Sequence, residues 1–459
     1  MPASPLRPLR PGQELEIAVE KLAFGGRGLA RHEGFVVFIE RGLPGQTVAA
    51  RITGVKKGFA EAKAVRVLTQ SPDRVEPFCP HFGVCGGCDW QDLAYPAQLH
   101  WKRVHVAESL SRLANLHDID VAQTVPSPKT RHFRNKMEFA FAGNLYLGLH
   151  ERDNPRRIFD ATHCSLMSDF SMELLAEARA FCKTTGIAAY HAGTGKGLWR
   201  HLVMREGKAT GQTMVQCITA PAPEAEKTVL ALGERLMKAF PALTSFVHSL
   251  RGAKTAVAQG EKTVFTLGQK SIEERIGGKI CRVSPDSFLQ TNTEAADALY
   301  RLVEDGAALT GSETVWDLYA GSGGVALRLA SRAKRVTGVE ASRTAVNDAK
   351  EAAGVNGAVN CEFLRGDALE TLASLGQDET NAPDVVILDP PRGGTHPDLM
   401  RALGEISPRR IVYVSCNPST LARDIAGLAE AYRIESVTPV DLFPHSPHVE
   451  TVLVLVKMS

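Results

Sequence analysis

Cys416 ends the apolar run Tyr413-Val414-Ser415 and opens the turn Asn417-Pro418. A cysteine at a strand end, downstream of a Gly-rich loop, is placed for nucleophilic chemistry. A small buried core residue is the alternative role for such a thiol. Upstream lie Leu388-Asp389-Pro390-Pro391-Arg392 and the loop Asp317-Leu318-Tyr319-Ala320-Gly321-Ser322-Gly323-Gly324. Downstream, Pro444-His445-Ser446-Pro447-His448-Val449 leads to Glu450, a carboxylate just before an apolar strand and a candidate general base. A second constellation is Cys79-x5-Cys85-x2-Cys88, with Cys164 in His163-Cys164-Ser165 as a fourth thiol. Four thiolates suit zinc or a [4Fe–4S] cluster, and spacing alone does not choose between them. Cys182, Cys217, Cys281 and Cys361 have no partner pattern and read as small core residues.

Glycines after a strand let the backbone approach a ligand closely. Gly321-Ser-Gly-Gly departs from the Gly-x-Gly-x-x-Gly pyrophosphate fingerprint, which speaks against a dinucleotide. The next strand ends in Glu340, nineteen residues after Gly321, where an acid can hold ribose hydroxyls. Asp367, in Gly366-Asp367-Ala368, ends the third strand and is placed for an adenine region. Together these features resemble class I methyltransferases that bind S-adenosylmethionine. Asp-Pro-Pro motifs in amino-methylating enzymes of that class end in an aromatic residue, whereas Arg392 follows here.

The elements that must position these residues fall into three parts. At 459 residues the chain is too long for one core. Residues 1–70 read as short strands separated by Gly25-Gly26-Arg27-Gly28 and Leu43-Pro44-Gly45, a small OB-like β-barrel. Lys56, Lys57, Lys63 and Arg66 give it one basic face suited to nucleic acid. Through Arg74 there are twelve Lys/Arg against seven Asp/Glu, although the whole chain carries only +2. Residues 71–285 read as an α+β domain, with an antiparallel sheet and helices near 169–184 and 223–239. A further helix over about 96–115 has Leu99, Val104, Leu110 and Leu113 on its apolar face and Lys102 and Arg103 exposed. From 286 to 459 apolar strands alternate with helices, which predicts a mostly parallel, doubly covered α/β sheet closed by the last strand as an edge or antiparallel strand. Met1-Pro-Ala-Ser-Pro-Leu-Arg7 has no apolar core of a signal peptide, and no apolar run approaches the ~18–20 residues of a membrane span. A cytoplasmic monomer is expected, and its nine cysteines are then not expected to form disulfides.

The chain closely resembles the RNA 5-methyluridine (uracil-C5) methyltransferases acting on tRNA and ribosomal RNA. The motifs are Asp286-Ser-Phe-Leu-Gln290-Thr-Asn292, the Gly-rich loop, Asp389-Pro-Pro-Arg-Gly-Gly, Ser415-Cys416-Asn-Pro and His448-Val-Glu450-Thr. The resemblance implies that Cys416 is the nucleophile and Glu450 the proton acceptor. It places Gln290, Tyr319, Glu340 and Asp389, with Gly321 and Asp367, around S-adenosylmethionine. It also makes the barrel an RNA-binding TRAM domain, and lets the helix near 96–115 pack with the catalytic domain. Ribosomal-RNA members carry the same cysteine pattern and bind [4Fe–4S], so Cys79, Cys85, Cys88 and Cys164 are its implied ligands. The tRNA-acting relatives are expected to lack both cluster and barrel, which points to 23S ribosomal RNA as substrate. A tRNA enzyme and a catalytically inactive RNA-binding protein are the alternatives. A radical or redox enzyme would call for Cys-x3-Cys-x2-Cys, which is absent.

Overall fold

The computed structural model describes residues 9–143, 145–375 and 382–458; the N-terminal stretch read for a signal peptide lies outside them. In the first part, β-branched runs are cut by Gly and Pro turns, so the chain forms short strands rather than helices. Six strands, Glu14–Ala18, Lys21–Leu22, Gly28–His32, Phe35–Glu40, Thr47–Val55 and Phe59–Thr69, make one sheet in the order first, fifth, sixth, fourth, third, second. The sheet has its own small core, with Val37, Ile39, Val48, Ala50 and Ala60 fully buried. Lys56, Lys57 and Arg66 are exposed, while Lys63 Nζ stands 3.0 Å from Asp153. Leu22 and Leu43 pack on Trp90 and Leu93, seating this sheet against the cysteine-bearing loop.

The helix Tyr95–Leu113 starts at a proline, as expected for a residue whose missing N–H costs nothing there. Its Val106 and Leu110 join a core with Tyr413 and Leu421, so it packs on the C-terminal domain. Lys102 does not follow its predicted exposure: it is fully buried and ion-paired with Asp441. Leu113, expected on the buried face, is exposed. The buried stripe instead runs through Gln98, Lys102, His105 and Ser109; the first three have partners distant in sequence, at His445, Asp441 and Leu22, and so invisible to local periodicity.

The central sheet has seven strands, Lys136–Ala142, Tyr146–His150, Ile158–Asp160, Trp199–Glu206, Thr213–Thr219, Ser245–Leu250 and Lys262–Gly268. All neighbours are antiparallel except Thr213–Thr219 and Ser245–Leu250, whose parallel pairing is allowed by the crossover helix Ala225–Ala239. With the helix Asp169–Thr185 this is the predicted α+β arrangement. The hairpin Ile272–Ile276 and Lys279–Val283 shares its core with the next domain, through Ile272, Ile276, Cys281 and Val283.

The C-terminal sheet also has seven strands. Cys361–Arg365, Arg335–Glu340, Thr314–Leu318, Val385–Leu388 and Arg410–Ser415 run parallel in that spatial order, followed by Glu450–Lys457, antiparallel to them, and then Tyr432–Val440, antiparallel to Glu450–Lys457 and so aligned with the first five. The last strand is therefore antiparallel but interior. The edge is Tyr432–Val440, which the polar residues Arg433, Glu435 and Ser436 disguised in the sequence. Among the described residues no helix is long and apolar enough to cross a membrane.

Candidate active site and cysteine cavity

The carboxyl ends of the parallel strands open onto one cavity of about 560 Å³, the expected place for a ligand in such a sheet. Gln290, Tyr319, Gly321, Glu340, Asp389, Cys416 and Glu450 all line it. The register explains the last two. Ser415 lies opposite Thr451, so Cys416, the next residue, faces Glu450 across the antiparallel pair. Asp389 follows Leu388, which neighbours Tyr413 on one side and Leu318 on the other.

The Gly-rich loop is built by left-handed backbone at Tyr319 (φ 68°), Gly321 (φ 54°) and Gly323 (φ 83°). A non-glycine residue held there costs free energy and marks a constrained site. The Glu340 carboxylate ties the loop down, accepting from Gly321 N at 3.1 Å and from Ser342 N at 2.7 Å. A side chain at Gly323 would meet the Phe363 ring at 2.8 Å, so close packing as well as φ requires glycine. Asp367 is not in the cavity wall. It is exposed and accepts from Leu369 N and Glu370 N, capping the helix Ala368–Leu375.

The electrostatics of the cavity are those of crowded, poorly solvated acids. Burial, with Asp389 nearby, pushes Asp317 up to about 8. Burial pushes Asp389 up to about 7, opposed by the Gln290 amide at 3.4 Å. Glu450 is held well above the carboxylate range by burial and by Asp389, with Arg392 opposing. Its Oε2 is buried without a hydrogen-bond partner among the described residues. Cys416 is pushed up to about 11, first by burial and then by Glu450 and Asp389. The carboxylates of Glu450 and Asp389 thus disfavour the Cys416 thiolate, while Arg392 favours it.

Phe288, Arg134 and His448 also line this cavity. Phe288 lies on the rim, 61% exposed. Arg134 lines both this cavity and the cysteine cavity. His448 stands beside Arg392, with Nε2 3.2 Å from the guanidinium, and burial and that charge lower it to about 4. A large apolar ring that stays exposed after folding is a signal only the structure supplies.

Cys79, Cys85, Cys88 and Cys164 line a second cavity of about 410 Å³. Folding thus gathers a thiol from residue 164 onto the loop that carries the other three. Burial raises Cys85 to about 11 and Cys88 to about 12, and each thiol also feels the others. Among the described residues no group of three or more His, Cys, Asp or Glu side chains is arranged to hold a metal ion. The four sulfurs share a cavity without forming a closed coordination sphere.

Residues 254–458 match the family described as tRNA (Uracil-5-)-methyltransferase, and residues 8–65 match the TRAM domain. An RNA methyltransferase of uncharacterised activity from Nitratidesulfovibrio vulgaris is 46% identical over 97% of this chain and 96% of its own. The chain belongs to the RNA (uracil-5-)-methyltransferase family. This methyltransferase is also 36% identical to an uncharacterised RNA methyltransferase of Halalkalibacterium halodurans, over 98% of each chain. Among solved structures it is similar to the Pyrococcus abyssi tRNA (uracil-54, C5)-methyltransferase in complex with S-adenosyl-L-homocysteine. That match has TM-score 0.77 and 30% identity, and covers 96% of this chain and 100% of the other. The enzyme is an S-adenosylmethionine-dependent RNA methyltransferase with an N-terminal TRAM domain. The expectation that tRNA-acting relatives lack the barrel needs correcting: a match over 96% of this chain leaves too little unaligned for a 70-residue domain to be missing.

Proposed function

We propose that the enzyme methylates C5 of a uridine in ribosomal RNA by covalent catalysis. C5 of uracil is a poor nucleophile, and addition of a thiolate at C6 makes it enolate-like. In this reading Cys416 forms the C6–S bond. Bound S-adenosylmethionine supplies an electrophilic methyl group. Glu450 then takes the C5 proton, and the re-forming C5–C6 double bond expels the Cys416 thiolate. Gln290, Tyr319, Gly321, Glu340 and Asp389 hold the cofactor, with Glu340 suited to ribose hydroxyls. Asp367, exposed and electrostatically close to Tyr319, is the weaker member of that set. The observation that carries the reading is the pairing of Cys416 with Glu450 on one cavity, by strand register. The target base must leave its stack to reach this cavity, so a loop uridine is the expected substrate.

Cys79, Cys85, Cys88 and Cys164 are read as ligands of a [4Fe–4S] cluster. The donor set fits: four thiols from two segments on one cavity, with zinc the competing occupant. Anaerobically purified protein is expected to hold iron and acid-labile sulfide in equal amounts, both lost in Cys85→Ser. Zinc without sulfide would overturn that part. The cysteine pattern favours ribosomal RNA, whereas the Pyrococcus abyssi structure favours a second reading, tRNA. RNA carrying 5-fluorouridine decides both substrate and mechanism, because fluorine cannot leave as a cation and the C6 adduct is trapped. A slow gel band with ribosomal RNA, absent in Cys416→Ala, is the expected result. A band with tRNA alone moves the substrate to tRNA, and no band with either removes the covalent mechanism.

A further inference from the structure

One oxygen of the Glu450 carboxylate, Oε2, is buried without a hydrogen-bond partner among the described residues. The Glu450 backbone is set by the strand it opens, paired with Val440, and by the segment that leads into it, residues 441–449. That segment is gripped from outside the C-terminal sheet. Lys102 and Tyr95, both on the helix Tyr95–Leu113, bind the Asp441 carboxylate, the tyrosine hydroxyl at 2.9 Å. Lys102 Nζ also donates to Phe443 O at 3.0 Å. Asn292 Nδ2 donates to Leu442 O at 3.1 Å.

The densest grip is at His445. It is 6% exposed and adopts φ +67°, a left-handed conformation that costs free energy for a non-glycine residue. Its carbonyl accepts from Asp89 N at 2.8 Å and from Trp90 N at 2.9 Å. Its N–H donates to Gln98 Oε1 at 2.8 Å. Its Nε2 stands 2.9 Å from Thr130 O. A carbonyl can only accept, so Nε2 carries the proton. Nδ1 is then left to accept and faces Gln98 Nε2 at 3.4 Å. The edge of the ring meets Phe78 at 5.0 Å between centroids. One residue is thus tied to the cysteine-bearing loop, to the helix after it and to the segment before Arg134. Asp89 directly follows Cys88.

We propose that His445 is a positioning residue, through which the loop 79–91 and the helix Tyr95–Leu113 set the Glu450 carboxylate against the C5 proton. The inference rests on Glu450 being the proton acceptor. It predicts a defect confined to the last chemical step. Attack by Cys416 and methyl transfer precede proton loss, so a displaced carboxylate leaves the methylated C6 adduct intact and stranded on the enzyme.

The test uses full-length wild type, His445→Gly and His445→Asn. Glycine keeps the left-handed turn and both backbone bonds to the carbonyl while removing the ring. Asparagine also tolerates that turn and offers an amide donor toward Thr130 O. The 5-fluorouridine adduct, which needs no proton removal, is expected within about twofold of wild type in both variants. With ordinary uridine RNA, His445→Gly is expected to turn over at least tenfold more slowly and to accumulate a covalent enzyme–RNA band. His445→Asn is expected to show the same pattern at smaller amplitude, and decides the matter if glycine prevents folding. Wild-type turnover in the variants, or loss of the fluorouridine adduct in step with turnover, overturns the proposal alone. A fluorouridine band that is absent in wild type, or unchanged in Cys416→Ala, overturns the Cys416–Glu450 reading and this proposal with it.

Discussion

Cys416 and Glu450 are thirty-four residues of helix, strand and loop apart, yet the antiparallel register makes them neighbours. The two should separate kinetically. Glu450→Gln is expected to accumulate a covalent complex with ordinary RNA, seen as a slow band on a denaturing gel, and to lose turnover by about 10²–10⁴-fold, the scale of general-base catalysis. A variant that turned over freely without such a band would assign the proton to another group. A cysteine attacks as its thiolate, and Cys416, the proposed nucleophile, is pushed up to about 11. Below that value the thiolate fraction grows with pH, so the rate of fluorouridine adduct formation at saturating RNA and cofactor should rise steadily from pH 7 to pH 9. A flat profile would mean that binding lowers the thiol below 7. Most cavity residues were legible because their motifs follow strand ends. Asp367 stood at an equivalent strand end but folds back to cap its own helix, a choice between two local uses of an acid that sequence does not rank.

At the scale of elements, the Gly-rich loop joins a strand end to the helix Gly324–Leu329 with left-handed backbone that an L side chain resists. Gly323→Ala combines that strain with contacts of 2.8 Å to Phe363 and 3.0 Å to Ala349. It is expected to destabilise the protein by about 1–3 kcal/mol and to weaken S-adenosylmethionine binding, measured by thermal unfolding and calorimetry. Unchanged affinity would detach the loop from the cofactor. The helix Tyr95–Leu113 was readable as a helix from its proline start and apolar spacing, but its buried face was not. Lys102 has a long apolar stem and looks solvent-bound unless Asp441, 339 residues away, is known to receive it. The strand Tyr432–Val440 was missed for a related reason: an edge strand exposes one face and can carry charges that break the apolar pattern.

Across the whole molecule, long-range polar contacts bind the three parts together. The Lys102–Asp441 pair has both side chains fully buried. Removing one partner leaves a charge in a dry site, so Lys102→Met should cost about 3–5 kcal/mol by denaturant unfolding, and Lys102→Met with Asp441→Leu should recover most of it. No recovery would show that Tyr95 and Phe443, not the ion pair, set the cost. Two buried histidines in the central sheet, His201 and His248, are lowered to about 4 by burial. They stay neutral in the fold, while the unfolded chain takes up protons below about 6.5. Stability should therefore fall as pH drops from 6.5 toward 4, and His248→Gln should flatten that slope in urea titrations at pH 7 and pH 5. Equal slopes would place the acid sensitivity elsewhere.

Local chemistry was enough to outline the strand-rich first part, the alternating strands and helices of the last, and the motifs at the strand ends. Each depends on turn residues, apolar period or motif spacing within a few tens of positions. Only the tertiary structure decided that Lys102 is buried, that the last strand is interior, and that His445 ties the cysteine loop to the segment carrying Glu450. Those are pairings between groups tens to hundreds of residues apart. Their free energy exists only once the backbone has brought the partners into the same desolvated space, and no local pattern encodes it.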